Sequence, residues 1–142
     1  MLSEFPVAVR LTVQWGDMDA YGHANNTLFF RFFESARIRY LEECGFLATY
    51  ETQKIGAILH STECRFRRPL FYPDDVLVGG RALDVGADRF TMGYRVVSLT
   101  HDAIAADGSG IIVSYDYTAG GKTALPDEVR TGIQRLERAD EI

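Results

Sequence analysis

The sequence predicts one α+β domain: a curved, antiparallel sheet wrapped around one long helix, with a short helix near the C-terminus. Three observations carry this expectation. A run of strict period-two alternation opens the chain, a helix of about five turns follows it, and four further strand-like runs come after. The links between the later runs are short, which favours antiparallel neighbours. The 142 residues suit a single domain spanning 1–142.

The first strand covers residues 7–15. Val7, Val9, Leu11, Val13 and Trp15 share one face, and Ala8, Arg10, Thr12 and Gln14 share the other. Residues 16–22 break the pattern with two glycines and two aspartates, and read as a loop. Asn25 or Asn26 serves as N-cap for a helix that Gly45 stops. Along that helix Phe29, Phe32, Phe33, Ala36, Tyr40 and Cys44 recur at helical spacing, with Arg31, Glu34, Arg37 and Glu42 mostly opposite. A helix this aromatic needs cover on more than one face.

Strands are expected at 57–68, 75–85, 89–99 and 110–119, with turns at 86–88 and at Asp107-Gly108-Ser109-Gly110. Pro126-Asp127-Glu128 starts a short amphipathic helix carrying Val129, Ile133 and Leu136 on one stripe. One apolar helix and one sheet must bury each other. The hotdog fold is the best-known form of that arrangement.

Composition narrows the function. A net charge of −5 argues against nucleic acid or an anionic membrane as partner. No apolar run approaches the roughly 18–20 residues of a membrane helix, and residues 1–10 lack a signal-peptide core. Cys44 and Cys64 are too few and isolated for a disulfide framework or a zinc site, so a reduced, cytoplasmic protein is expected. His23, His60 and His101 show no metal-ligand spacing, and no metal or other cofactor is implied.

The chemistry concentrates in Gly16-Asp17-Met18-Asp19-Ala20-Tyr21-Gly22-His23-Ala24-Asn25-Asn26, between a strand end and a helix start. A helix N-terminus offers free N–H groups and a positive dipole end, which polarise a carbonyl or hold an oxyanion. A carboxylate beside it attacks that carbonyl or activates a water. Asp, Gly and Asn are also ordinary loop and capping residues, so residue types alone leave both readings open.

Residues 15–26, with Phe29 and Phe33-Glu34-Ser35-Ala36-Arg37, resemble the signature of the 4-hydroxybenzoyl-CoA thioesterase-like family of hotdog acyl-CoA thioesterases. The similarity continues through Phe66-Arg67-Arg68-Pro69-Leu70 and Pro73-Asp74-Asp75-Val76-Leu77. The resemblance implies that Asp19 is the catalytic carboxylate. It implies that the backbone N–H near Asn26, with Asn25 adjacent, polarises the thioester, and that Asp17 supports the turn. It also implies a homodimer or homotetramer with sites at the dimer interface. Asp19, His23 and Asn25-Asn26 also fit the pattern of acyl-ACP thioesterases. That branch carries a catalytic Asn where this chain has Tyr21, and an acidic residue near Pro69. His23 either assists the reaction or braces the loop; bracing is the favoured reading.

Tyr21, Gly22, Phe30 and Arg67 complete the candidate site as substrate-contacting residues. Phe30 points off the main stripe, toward an acyl tunnel or a subunit contact. Arg65, Arg67, Arg68, Arg89 and Arg95 lie on or beside strands, where arginine suits the phosphates of CoA. Glu63 is expected to pair with neighbouring arginines, and Glu34, Glu42 and Glu43 to form a solvated or interface row. The expected function is hydrolysis of an acyl-CoA thioester. The alternatives are an acyl-ACP thioesterase and a non-catalytic acyl-CoA-binding hotdog protein.

Overall fold

The computed structural model describes residues 1–138; residues 139–142 lie outside the described residues. Strand β1 (Val7–Val13) leads through a single 3-10 turn into helix α1 (Asn26–Cys44). Then come α2 (Phe46–Gln53), β2 (Ile55–Phe66), β3 (Asp74–Leu83), β4 (Arg89–Ser98), β5 (Ala103–Asp116), the two-residue β6 (Gly121–Lys122) and α3 (Asp127–Arg138). The strands form one antiparallel sheet in the order β1-β3-β4-β5-β2, with β6 paired to the end of β5. This is the expected α+β hotdog architecture, with a sheet curled around one long helix.

α1 is held at both ends by local chemistry. The Asn25 side chain accepts from the Thr27 N–H at 2.9 Å, and Gly45 closes the helix at φ 93°. Its apolar stripe, Leu28, Phe29, Phe32, Phe33, Ala36, Tyr40, Leu41 and Cys44, is buried throughout. It packs chiefly on β1, β3 and β4, where Val13, Val76, Val78, Phe90, Met92, Tyr94 and Val96 meet it. Phe33 stacks on Tyr94 with ring centroids 4.7 Å apart. α3 closes the far end: Val129 and Ile133 are buried, and Arg135 donates to the Glu43 carbonyl at 2.7 Å.

The structure departs from the sequence reading at two elements. Asp107-Gly108-Ser109-Gly110 is not a turn. It lies inside β5, which begins at Ala103, and the β4–β5 reversal falls at residues 99–102. Gly108 is there for clearance: a Cβ would stand 2.3 Å from Phe33 Cε2 and 2.7 Å from the Glu63 carbonyl oxygen. Second, α2 is a separate helix that the pattern did not announce. It packs beside β2, and its Thr49 hydroxyl bonds the Ile55 carbonyl at 2.9 Å.

β2 is an edge strand. It pairs with β5 along one side, and its register shifts between Leu59 and Ser61, so His60 is the extra residue of a bulge. α1 leaves its inner face largely uncovered, and Leu59 and Phe66 remain 39% and 44% exposed.

Candidate active site

The loop between β1 and α1 closes on itself as a miniature hairpin. Met18 and Ala24 form an isolated antiparallel bridge. The Asp19 N–H donates to the His23 carbonyl at 3.0 Å, and the Gly22 N–H donates back to the Asp19 carbonyl at 3.0 Å. Gly22 takes φ 81°, the left-handed conformation that glycine adopts without a Cβ penalty. The Ala24 N–H reaches the Leu70 carbonyl at 2.7 Å, which ties the loop to the segment after β2.

Asp19 is half-buried, and backbone holds its carboxylate. Oδ1 accepts from the Tyr21 N–H at 2.9 Å, and Oδ2 faces Asn25 Nδ2 at 3.5 Å. Asn25 therefore touches both parts of the expected machinery, capping α1 through its amide oxygen and facing Asp19 through its amide nitrogen. Asn26 is the first residue of α1, where an N–H has no intrahelical partner. Both asparagines are exposed.

Asp17 sits apart from Asp19 in role. Its Oδ2 accepts from the Gln14 N–H at 2.8 Å, its carbonyl accepts from the Asn25 N–H at 2.9 Å, and Arg31 lies 4.0 Å from Oδ1. It fastens the strand end to the helix start. His23 contacts the Ala24 carbonyl through Nδ1 at 3.1 Å. A carbonyl only accepts, so in that contact Nδ1 carries the proton and donates it. Tyr21 stacks on His23, and Phe71 meets it edge-on.

A cleft of about 320 Å³ opens beside the helix start, lined by His23, Asn26, Phe29, Phe66, Arg67 and Pro69, among others. The structure thus gathers Asp19, His23, Asn25 and Asn26 into one loop and helix start, and sets Arg67 on the same cleft as His23 and Asn26. Tyr21 stands at the loop tip, 87% exposed. Phe30 lies farther along α1, edge-on to Phe33. Arg67 is engaged, donating to Asp107 Oδ2 at 2.5 Å, while Arg95 holds the other oxygen at 2.7 Å. Burial pushes the Asp107 carboxyl up, but its bonds from Arg95 and Arg67 prevail and hold it below the usual range. Glu63 accepts from the Ser109 hydroxyl at 3.1 Å, where pairing with an arginine was expected.

Phe66 and Pro69 enter the sequence reading as the end of a strand and part of the second stretch of resemblance, not as walls of a cleft. Their place on the cleft follows from the Ala24–Leu70 bond, a contact across 46 residues that periodicity does not encode. Among the described residues, no cluster of three or more His, Cys, Asp or Glu side chains is placed to hold a metal ion, and no helix is long and apolar enough to cross a membrane.

Comparison with known proteins agrees with the fold. The family model of the thioesterase-like superfamily matches residues 13–133. A thioesterase from Thermus thermophilus, solved with coenzyme A and zinc, is 32% identical. Its superposition covers 95% of this chain and 96% of that one with a TM-score of 0.83. A 1,4-dihydroxy-2-naphthoyl-CoA thioesterase from Synechocystis shares the fold at 19% identity, covering 92% of this chain and 97% of that one, with a TM-score of 0.80. A gentisyl-coenzyme A thioesterase does so at 21% identity, covering 89% and 98%, with a TM-score of 0.78. The chain belongs to the thioesterase-like superfamily, and its enzyme class is that of the thioester hydrolases.

Proposed function

We propose that the protein hydrolyses an acyl-CoA thioester to a carboxylic acid and free CoA. The observation that carries this is the half-buried Asp19 carboxylate, fixed by backbone in the loop that leads into α1, whose first N–H, on Asn26, has no intrahelical partner. The Asn26 N–H polarises the thioester carbonyl and stabilises the oxyanion that forms, while the Asn25 N–H, given to the Asp17 carbonyl, holds the helix start in place. Asp19 attacks that carbon, or takes a proton from the water that does. Direct attack breaks the C–S bond, expels CoA as the thiolate and leaves an acyl-aspartyl anhydride that water then hydrolyses; in the water route the proton taken by Asp19 passes to the departing sulfur. His23 braces the loop through its bond to Ala24. Tyr21, Gly22, Phe30 and Arg67 contact the substrate around the cleft. The coenzyme A bound to the Thermus thermophilus thioesterase supports a CoA thioester as the substrate.

The site is open in a single chain, and β2 offers an unpaired edge beside it. Pairing of that edge between copies would cover both, so the working unit is a homodimer or homotetramer. A cytoplasmic location fits a substrate of this kind.

The test is turnover of an acyl-CoA panel by wild type and by Asp19→Asn. The variant should lose about 10²-fold or more in kcat/KM on the best substrate, the scale of removing a positioned acid–base or nucleophilic group. Near-normal turnover by Asp19→Asn would remove the carboxylate from the mechanism. Saturable CoA-ester binding with no thiol release across the panel would remove the reaction itself.

A further inference from the structure

Five arginines on or beside strands are candidates for the phosphates of CoA, and their contacts separate them. Arg67 and Arg95 are spent on the two oxygens of Asp107, and Arg89 holds both oxygens of its neighbour Asp88. Arg68 brings a guanidinium nitrogen to 3.3 Å from Nδ1 of His101. Arg65 makes no side-chain hydrogen bond or ion pair among the described residues, although Asp107 stands directly opposite it on the β2–β5 ladder. Both oxygens of that carboxylate are already taken.

Arg65 lines a pocket of about 350 Å³ together with Glu63, Asp107 and Ser109, a size within the roughly 300–1,000 Å³ of small-ligand sites. The register sets Glu63 opposite Ser109 and Arg65 opposite Asp107, with the Cys64–Gly108 pair between them. A Cβ on Gly108 would meet Phe33, so the central pair faces α1 and the other four side chains face away from it. The pocket therefore lies on the outer face of the sheet. Main chain of Cys64 and Gly108 forms its floor, and the four polar side chains form its walls.

The charges in this pocket are not equivalent. Asp107 is neutralised by Arg67 and Arg95, and one oxygen of Glu63 accepts from the Ser109 hydroxyl at 3.1 Å. Two groups stay available. The Arg65 guanidinium is a planar fork of donors that matches phosphate, and the second Glu63 oxygen accepts from a hydroxyl or an amine. Such a pair fits a nucleotide better than a bare polyanion, which Glu63 repels. The pocket also adjoins the cleft at the helix start: Arg67 lines that cleft, and its bond to Asp107 is the partition between the two. From Arg67 to Glu63 is about 13 Å along the strand, within reach of the pantetheine arm of a CoA ester whose carbonyl sits at Asn26. Pairing of β2 edges between copies uses main-chain groups in the plane of the sheet and leaves this face open.

We propose that the outer-face pocket around Arg65 binds the nucleotide end of CoA, with the guanidinium on a phosphate and Glu63 on a hydroxyl or amino group of the nucleoside. The inference rests on the acyl-CoA hydrolysis proposed above. It names what separates a CoA ester from the same acyl group on a carrier protein, which brings no nucleotide. The role is one of binding, since the reacting atoms stay at Asp19 and Asn26.

The experiment measures kcat and KM for one acyl group carried on CoA and on pantetheine, in wild type, Arg65→Ala, Arg65→Lys and Glu63→Ala. Wild type should prefer the CoA ester about tenfold or more, through KM, the scale of one charge-assisted hydrogen bond. Arg65→Ala should lose that preference with kcat unchanged, and Arg65→Lys should keep part of it. Adenosine 3′,5′-bisphosphate should compete with the CoA ester in wild type and more weakly in Arg65→Ala and Glu63→Ala. Pyrophosphate, which has the charge without the nucleoside, should compete less well than the nucleotide. An unchanged KM for the CoA ester in Arg65→Ala overturns the proposal while leaving thioester hydrolysis intact. Equal loss on both esters, with a lower melting temperature, also overturns it and makes Arg65 a structural residue. Tighter inhibition by the nucleotide in Glu63→Ala, or pyrophosphate competing as well as the nucleotide, overturns the nucleoside assignment. If neither ester is hydrolysed, the underlying reaction fails instead, and calorimetric titration of CoA still decides the site: equal affinity in wild type and Arg65→Ala overturns it.

Discussion

Asn25 joins the stability of α1 to the chemistry of the loop, and replacing it separates the two. Its Oδ1 caps the Thr27 N–H at 2.9 Å, while its Nδ2 faces Asp19 at 3.5 Å. Asn25→Ala removes both contacts. Loss of an N-cap of this type costs about 1 kcal/mol. In a domain of this length that lowers the melting temperature by roughly 2–4 °C. The first turn of α1 frays with it, and the Asn26 N–H loses its fixed aim. Full loss of one oxyanion donor costs about 10²–10³ in rate, so a partly misaimed one should cost roughly tenfold. Asn25→Ser restores the cap but not the amide donor. It should recover the melting temperature to within about a degree of wild type and most of the lost kcat/KM. Melting curves and acyl-CoA kinetics on the three proteins provide the check. If Asn25→Ser melts like wild type yet stays as slow as Asn25→Ala, the Nδ2–Asp19 contact matters for rate and the helix-start reasoning is wrong.

Two further outcomes follow from packing and charge. Gly132→Ala should destabilise the protein, although alanine is the better helix former by about 1 kcal/mol. The new Cβ would stand 2.2 Å from the Cys44 carbonyl oxygen, a backbone atom with no rotamer to escape into. Overpacking of about 2–3 kcal/mol then outweighs the propensity gain, and the melting temperature falls by roughly 3–6 °C; a rise would show that α3 docks on α1 with room to spare. For Asp107, the carboxyl is held below its ordinary value near 3.8, so its contribution is complete above that value and is lost as pH falls through the depressed one. The melting temperature of wild type should drop more steeply below pH 3.8 than that of Asp107→Asn, and parallel slopes would show that the Arg67 and Arg95 pairings contribute nothing to folding.

Much of this was legible before the fold was known, for identifiable reasons. β1, α1 and α3 each bury one face, so their periods are written in the apolar residues. α2 has eight residues and no clean stripe, and Gly45, read as the end of α1, is also the residue from which α2 starts. The first half of β5 was missed because Asp107, Gly108, Ser109 and Gly110 are turn formers by type. Their real reasons are tertiary: Gly108 makes room for Phe33, and Asp107 is clasped by two arginines from β4 and the end of β2. At the site, the loop from Asp17 to Asn26 is contiguous in sequence and was readable as a unit. The walls contributed by Phe66 and Pro69 depend on how the segment after β2 docks on the loop through the Ala24–Leu70 bond, which residue types do not set.

How Asp19 is held bears on what its replacement can report. The contacts that position its carboxylate come from within the loop: a backbone N–H two residues on, and the side chain of the residue that caps α1. The loop is closed by main-chain bonds at Met18–Ala24, Asp19–His23 and Ala24–Leu70, none of which uses the Asp19 side chain. Strand end and helix start are joined instead through Asp17, by way of Gln14 and Asn25. The two aspartates divide the work: Asp17 holds the loop in place, and Asp19, on the proposed mechanism, meets the substrate. Asp17 substitutions should therefore act on stability and activity together. Asp19 substitutions should act on activity with the fold intact, and that asymmetry makes Asp19→Asn a clean test of the reaction.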